Sequence, residues 1–257
     1  VLFPLLGIMP SKLVAPNYTN HFVFLFLGGF MIALAMEKWN FHKRLALWII
    51  SAIGTGLHRI VLGFMIAAAF LSMWISNTAT TMMLLPVGMA VVRQVAAQST
   101  LDGKHDEITE RRIAESLGLV LMLGLAYSAS IGGVGTLIGT APNIVFAGFY
   151  KELYPEFPEI SFVRWMTVAI PVVIIFVPIV WIYLCRFIAS VPLEQIEFGK
   201  GETDVIGQEL VALGKLSREE KMIAGAFATT AFLWIFRKPL VLGSITLPGW
   251  SDLFSNP

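Results

Sequence analysis

The sequence predicts an all-α polytopic membrane protein that contains a re-entrant helical hairpin and a discontinuous transmembrane helix. Three observations lead there. Hydrophobic residues make up 56% of the 257 residues and charged residues only 14%, with a mean hydropathy of +0.76, far from an ordinary soluble domain. The cluster Ser72-Met73-Trp74-Ile75-Ser76-Asn77-Thr78-Ala79-Thr80-Thr81 sets small oxygen-bearing side chains between apolar runs that carry no charge from Ile60 to Ile75 or from Met82 to Val92. A second run, from Ala126 to Asn143, is dense in glycine and contains Pro142.

Taken in order, residues 1–36 are scaffold transmembrane segments, with Phe22–Met36 a candidate span. Val1 opens an apolar, proline-broken run (Phe3-Pro4-Leu5-Leu6-Gly7) with no basic residue ahead, which does not read as a signal peptide; without an initiator Met the sequence reads as a fragment. Residues 37–50 (EKWNFHKRLALWII) mix charges with Trp39 and Trp48 and read as an amphipathic interfacial helix. Residues 51–97 hold two apolar arms, Leu57–Ile75 and Thr80–Val95, around Ser76-Asn77-Thr78. Residues 98–116 read as a solvated cytoplasmic loop, 117–149 as the discontinuous helix and 150–164 as an extracytoplasmic loop. Residues 165–189 are a further span (Trp165–Ile188), 190–220 a polar, acidic linker, and 221–257 begin with the candidate span Met222–Phe236. Several of these approach the roughly 20 apolar residues that a ~30 Å hydrocarbon core demands.

Basic residues fall in blocks. Lys38, Lys43, Arg44 and Arg59 form one; Arg93, Lys104, Arg111 and Arg112 a second; Arg186, Lys200, Lys215, Arg218 and Lys221 a third. The alternate connections are poorer, holding Lys12, then Lys151 and Arg164, then Arg237 and Lys238. The positive-inside tendency places the three rich blocks in the cytoplasm. Leu57–Val95 must then enter and leave on that side, with Ser76-Asn77-Thr78 at its tip. A tip in water would ordinarily carry charge, Gly or Pro. This one carries three small neutral residues, which suits irregular backbone surrounded by protein at membrane depth.

Hydroxyls and amides in apolar sequence are costly unless something satisfies them. Neutral oxygens without a fixed charge suit a weakly held, exchangeable cation and a carboxylate ligand. In the second run, four glycines in eight residues weaken the helix, and Pro142 disfavours helix at Ala141 while favouring a new helix start. The product is a break with free carbonyls near Ile138–Thr140 and free amides just after. Transporters use such breaks to hold Na⁺ on carbonyls and anions on half-helix N-termini.

Ser72 and the Ser76-Asn77-Thr78 tip, followed by Ser130-Ile131-Gly132-Gly133-Val134-Gly135-Thr136-Leu137-Ile138-Gly139-Thr140-Ala141-Pro142-Asn143, resemble the divalent anion:sodium symporter family of sodium-coupled dicarboxylate, citrate and sulfate carriers. The resemblance runs through nearly the whole chain and implies an inverted-repeat transporter. It implies that Ser72, Ser76 and Asn77, with the Gly139 carbonyl, hold Na⁺, and that Asn77, Thr78 and Thr140 hydrogen-bond a substrate carboxylate. Gly132, Gly133 and Gly135 would let the broken helix pack against the hairpin, with Pro142 and Asn143 shaping the break. The implied partners are a small divalent anion, the lipid bilayer of a plasma or bacterial inner membrane, and a second copy in a homodimer. The sequence carries one Ser-Asn-Thr and stops at Pro257, so 221–257 reads as the incomplete start of a second repeat and the chain as half of a binding site.

Plainer readings cover the remaining residues. Ser128 and Ser130 are packing residues, since membrane Ser and Thr usually back-bond or bridge helices. Arg59 is an interfacial anchor. His21, His42, His58 and His105 have no metal-ligand spacing, and His42 and His58 read as solvated. Met82 and Met83 are lipid- or helix-facing filler. The lone Cys185 excludes an internal disulfide. The net charge of +1 points to no special partner, nucleic acid included. An intramembrane enzyme would need a catalytic pair at depth, and each acidic residue falls in a loop or at a span end. A sodium-independent exchanger on the same fold is the alternative within transport.

Overall fold

The computed structural model describes residues 2–18, 21–54, 56–102, 107–191, 205–242 and 245–253. It is almost wholly helical. The helices are α1 (Leu2–Leu5), α2 (Ser11–Tyr18), α3 (His21–Lys38), α4 (Phe41–Ile53), α5 (Leu57–Ser72), α6 (Asn77–Asp102), α7 (Glu107–Gly133), α8 (Ala141–Leu153), α9 (Phe162–Tyr183), α10 (Val205–Ala212) and α11 (Arg218–Ile235). A π-helical turn, Leu184–Ile188, extends α9. Four helices are long and apolar enough to cross a membrane, over His21–Lys38, Asn77–Ala96, Arg111–Gly133 and Phe162–Ile188.

The core forms where α7 lies between the two arms of the hairpin. α5 and α6 each pack far more extensively on α7 than on one another. Small residues permit this approach. An added Cβ on Gly124 would meet Met65 at 3.1 Å, and one on Gly88 would meet Leu121 at 2.9 Å. Leu57, Phe64, Met65, Leu71, Leu84, Leu117, Leu121 and Leu125 fill the interior. The outside is apolar as well, as at the exposed Met82, Val168 and Ile174.

Several expectations change. Segments 1–36 do not all span, because α1 and α2 are only 4 and 8 residues long. The helix expected over 37–50 starts at Phe41 rather than Glu37: α3 runs on through Lys38, and Asn40 turns the chain in the left-handed region at φ 56°. Residues 98–116 are largely helical, since α6 continues to Asp102 and α7 begins at Glu107; the part at 103–106 lies outside the described residues. Within the linker, 192–204 also lie outside them, and α10 occupies Val205–Ala212. A two-stranded antiparallel ribbon, Leu240–Leu242 with Ile245–Leu247, qualifies the all-α expectation.

His42 is not solvated. It is 6% exposed and its Nδ1 lies 2.9 Å from the Met36 carbonyl oxygen, with burial pushing the imidazole below its ordinary pKa against the pull of that hydrogen bond. His58 is half-buried, its ring stacked on Trp181, whose indole donates to the His58 carbonyl at 2.8 Å. Arg44 too turns inward. Its guanidinium grips Glu220 through Nε–Oε1 at 2.7 Å and Nη2–Oε2 at 3.1 Å, and donates to the Gly214 and Leu213 carbonyls at 3.0 and 3.1 Å. Glu220 also closes a capping box with Ser217 at the start of α11. A buried ion pair thus fastens α4 to α11, and a second pair, Lys43–Glu209 at 2.7 Å, joins α4 to α10.

Candidate functional site

The hairpin turns within Met73–Ser76, and α6 starts immediately at Asn77. Ser76 caps α6: its hydroxyl accepts the Ala79 amide at 3.2 Å, a satisfied N-terminal donor of the kind short oxygen side chains supply. The break in the second element covers residues 134–140, and α8 resumes at Ala141 with Pro142 in its first turn. Thr140 is the N-cap residue, in extended backbone, with no side-chain capping bond of its own.

Backbone contact holds the two elements together. A Cβ on Gly132 would lie 2.1 Å from the Ala69 carbonyl oxygen, and one on Gly133 would lie 2.5 Å from Asn77 Oδ1. At Gly139 it would lie 2.4 Å from the Gly133 oxygen and 3.0 Å from the Ser72 oxygen. Gly135 sits against Met73. Asn143, 6% exposed, clamps the break from α8 by donating Nδ2–H to the Gly133 and Thr136 carbonyls at 2.9 and 2.7 Å. Thr136 is fully buried; its hydroxyl donates to the Met73 carbonyl and accepts the Gly139 amide at 3.1 Å. Trp165, on α9, donates to the Val134 carbonyl at 2.7 Å. Thr136 and Trp165 escape a reading of the motifs, although Thr136 stands three residues before Gly139, the spacing of a hydroxyl-closed turn.

Of the sequence-chosen residues, Ser72 is fully buried and its hydroxyl donates to Asn77 Oδ1. Ser76, Asn77, Thr78, Gly139 and Thr140 line one cavity of about 290 Å³ with Trp74, Ala141 and an α3 face of Phe26, Gly29, Phe30 and Ala33. Ser72 stands behind Asn77, outside that lining. The Ser76 hydroxyl is engaged in capping rather than turned to Ser72. Ser128 and Ser130 back-bond to Gly124 and Ala126 at 2.6 and 3.0 Å.

No lining residue of the cavity is charged, and among the described residues no group of His, Cys, Asp and Glu could hold a metal ion. Two helix N-termini, those of α6 and α8, meet at this cavity. Each contributes the partial positive charge of a helix start, which favours an anion, although the Ala79 amide is taken by Ser76, Pro142 has no amide hydrogen and the Asn143 amide donates to the Thr140 carbonyl at 3.2 Å. Hydroxyl, amide and carbonyl oxygens beside them form a neutral, hard donor set of the kind a monovalent cation accepts. The α6 terminus is the part that motif reading overlooks.

The family model described as the sodium:sulfate symporter transmembrane region matches residues 2–247. The sodium-dependent dicarboxylate transporter SdcS of Staphylococcus saprophyticus is 42% identical over 241 residues, 94% of this chain and 44% of that protein. SdcS of Staphylococcus aureus strain NCTC 8325 is 41% identical over the same shares of the two chains. The chain therefore spans less than half the length of these relatives.

Proposed function

We propose, from the premise that the chain belongs to the sodium:sulfate symporter family and is an integral protein of the plasma membrane, that it supplies one side of the binding site of a sodium-coupled dicarboxylate transporter. One observation carries the reading: two helix N-termini and a set of neutral oxygens converge on a cavity without a charged residue. A dianion there has only partial charges to balance it, so a bound cation beside it contributes strongly in the low-dielectric interior. Each ligand then favours the other, which is the physical basis of coupling. SdcS relatives described as sodium-dependent dicarboxylate transporters support the same ion and the same cargo class.

On this reading Ser72, Ser76 and Asn77, with the Gly139 carbonyl, hold Na⁺. Asn77, Thr78 and Thr140 take one carboxylate at the α6 and α8 termini. Gly132, Gly133 and Gly135, with Pro142 and Asn143, keep the break against the tip. The opposing wall and the other carboxylate's partners come from the rest of the full-length protein, and alternating access exposes the site to each side in turn. The short first arm supports a re-entrant hairpin: the 16 residues of α5 rise only about 24 Å at 1.5 Å each, short of a ~30 Å core, although α6 is long enough to cross.

The test is uptake of labelled succinate by the full-length protein in proteoliposomes. Replacing Na⁺ with choline should abolish it; uptake that persists identifies a sodium-independent exchanger. Asn77→Ala removes an oxygen from both ligands and should weaken apparent Na⁺ affinity by roughly five- to a hundredfold, as a lost hydrogen-bond or ligand term of about 1–3 kcal/mol requires. Unchanged Na⁺ dependence in Ser72→Ala, Ser76→Ala and Asn77→Ala would reject the assignment.

A further inference from the structure

A larger cavity, of about 470 Å³, lies on the other side of the break loop. Leu137 lines it, whereas Ile138 to Ala141 line the candidate site. Its floor is apolar, with Phe22, Leu25, Leu137, Phe162 and Trp234, and its rim is charged, with His21, Glu159, Arg164, Arg237 and Lys238. It opens at the end of α11 away from Glu220, and so away from the Arg44 junction.

The rim is unbalanced. Glu159 is its one carboxylate and is already engaged: His21 Nε2 lies 2.7 Å from Oε1, and Lys238 Nζ lies 3.2 Å from Oε2. Lys151 stands 4.0 Å from the same oxygen. Arg164 and Arg237 are exposed at the cavity, and no acidic side chain is left among its lining residues to answer them. Arg164 moreover sits in the first turn of α9, with its amide on the Ser161 cap at 3.2 Å. A cation there opposes the macrodipole, which favours negative charge at a helix N-terminus. His21 and Phe22, the first residues of α3, bring a second helix N-terminus to the same cavity. Two helix starts and two unopposed guanidiniums thus surround a space within the roughly 300–1,000 Å³ usual for small-molecule sites.

We propose that this cavity is an extracytoplasmic docking site for the carboxylate cargo, where Arg164 and Arg237 take up the dianion before it passes the break loop into the candidate site. The inference rests on the transport reading above and adds to it an outer binding step. Guanidinium forks match carboxylate geometry. A cleft with an excess of positive charge also concentrates its counter-charge and quickens encounter, an effect that salt weakens. The apolar floor accommodates the hydrocarbon part of a short dicarboxylate and gives no second fixed charge to trap it.

The experiment uses the full-length protein in proteoliposomes, with initial succinate uptake measured against external succinate at low and at physiological ionic strength. Arg164→Gln and Arg237→Gln should each raise KM for succinate about three- to tenfold. Maximal rate should stay within about twofold, the Na⁺ dependence should not change, and the rise of KM with salt should flatten. Arg237→Lys should restore the salt response but only part of the affinity. If the wild type shows sodium-driven uptake while both Gln variants keep its KM and its salt response, the docking site is wrong and the transport reading stands. If the wild type shows no sodium-driven uptake, the transport reading itself fails. A second measurement does not depend on turnover. A cysteine at Val163, in a Cys185→Ser background, is labelled from outside by an impermeant maleimide, in vesicles of zwitterionic or of anionic lipid. Protection by succinate in both lipids supports the site. Protection by anionic lipid alone would assign the arginines to headgroups and overturn it.

Discussion

Two junctions in this molecule are built on opposite principles. Where the broken helix meets the hairpin, backbone touches backbone at Gly132 and Gly139, Gly133 sits against the Asn77 side chain, and every side-chain bond is neutral. Where α4 meets α11, two full charges are buried against each other. The first junction is cheap to desolvate but leaves no room for an added atom. The second tolerates changes of shape, yet only if both partners change together. A transport site that must hold and release ions suits the first construction, and a fixed anchor suits the second.

The contrast is tested most severely at Arg44. Arg44→Met leaves the Glu220 carboxylate buried and unpaired, which should destabilise the full-length protein in detergent by about 3–5 kcal/mol. Adding Glu220→Leu to that variant should recover most of the loss on thermal unfolding. No recovery would mean that the charges do more than anchor. At the other junction, Gly132→Ala forces a methyl group to 2.1 Å from the Ala69 oxygen, with an expected cost of roughly 1–3 kcal/mol and loss of uptake. Gly28→Ala, where nothing lies within 4 Å, is the control and should unfold at or slightly above the wild-type temperature. Equal behaviour of the two glycine variants would remove the close-contact argument.

The smallest effect belongs to the outer cluster. Burial opposes the ionisation of Glu159, but hydrogen bonds from Lys238 and His21 outweigh it and hold its pKa below the ordinary value of about 4.5. A depressed carboxylate stabilises the fold above its unfolded pKa, and the contribution is lost as pH falls through the folded pKa. The difference in melting temperature between wild type and Glu159→Gln should therefore be present at pH 7 and vanish only once the pH has fallen through the depressed folded pKa. A difference that persists below it would point to packing instead.

The same contrast explains what the sequence discloses. The hairpin tip and the break are local: Ser76-Asn77-Thr78 caps its own helix, and the glycines and Pro142 interrupt theirs within a dozen residues. Composition and spacing therefore place both. The span boundaries moved by a few residues because the helices run past the apolar stretches: α3 continues through Lys38 before Asn40 turns the chain, α6 continues to Asp102 and α7 begins at Glu107. Arg44 read as one more cytoplasmic charge, since nothing near it in sequence shows that Glu220 and the carbonyls at 213 and 214 receive it. His42 misled for the same reason: its partner is a backbone carbonyl, which no residue type announces. At the site, nothing near Thr136 in sequence marks its role, because its acceptor is the carbonyl of Met73, 63 residues earlier.

The anchor at Arg44 also sets a clock. Its nearest partner in sequence lies 169 residues downstream and its carboxylate 176. A chain synthesised at about 5–20 residues per second therefore carries α4 for roughly 9–35 s before Glu220 exists to meet it. Through that interval the guanidinium lacks both its carboxylate and its carbonyl partners, while the hairpin and the broken helix are made. The last element described before the ribbon is thus the one that lets the fourth helix settle, and a pulse of synthesis halted before residue 213 should leave Arg44 open to solvent.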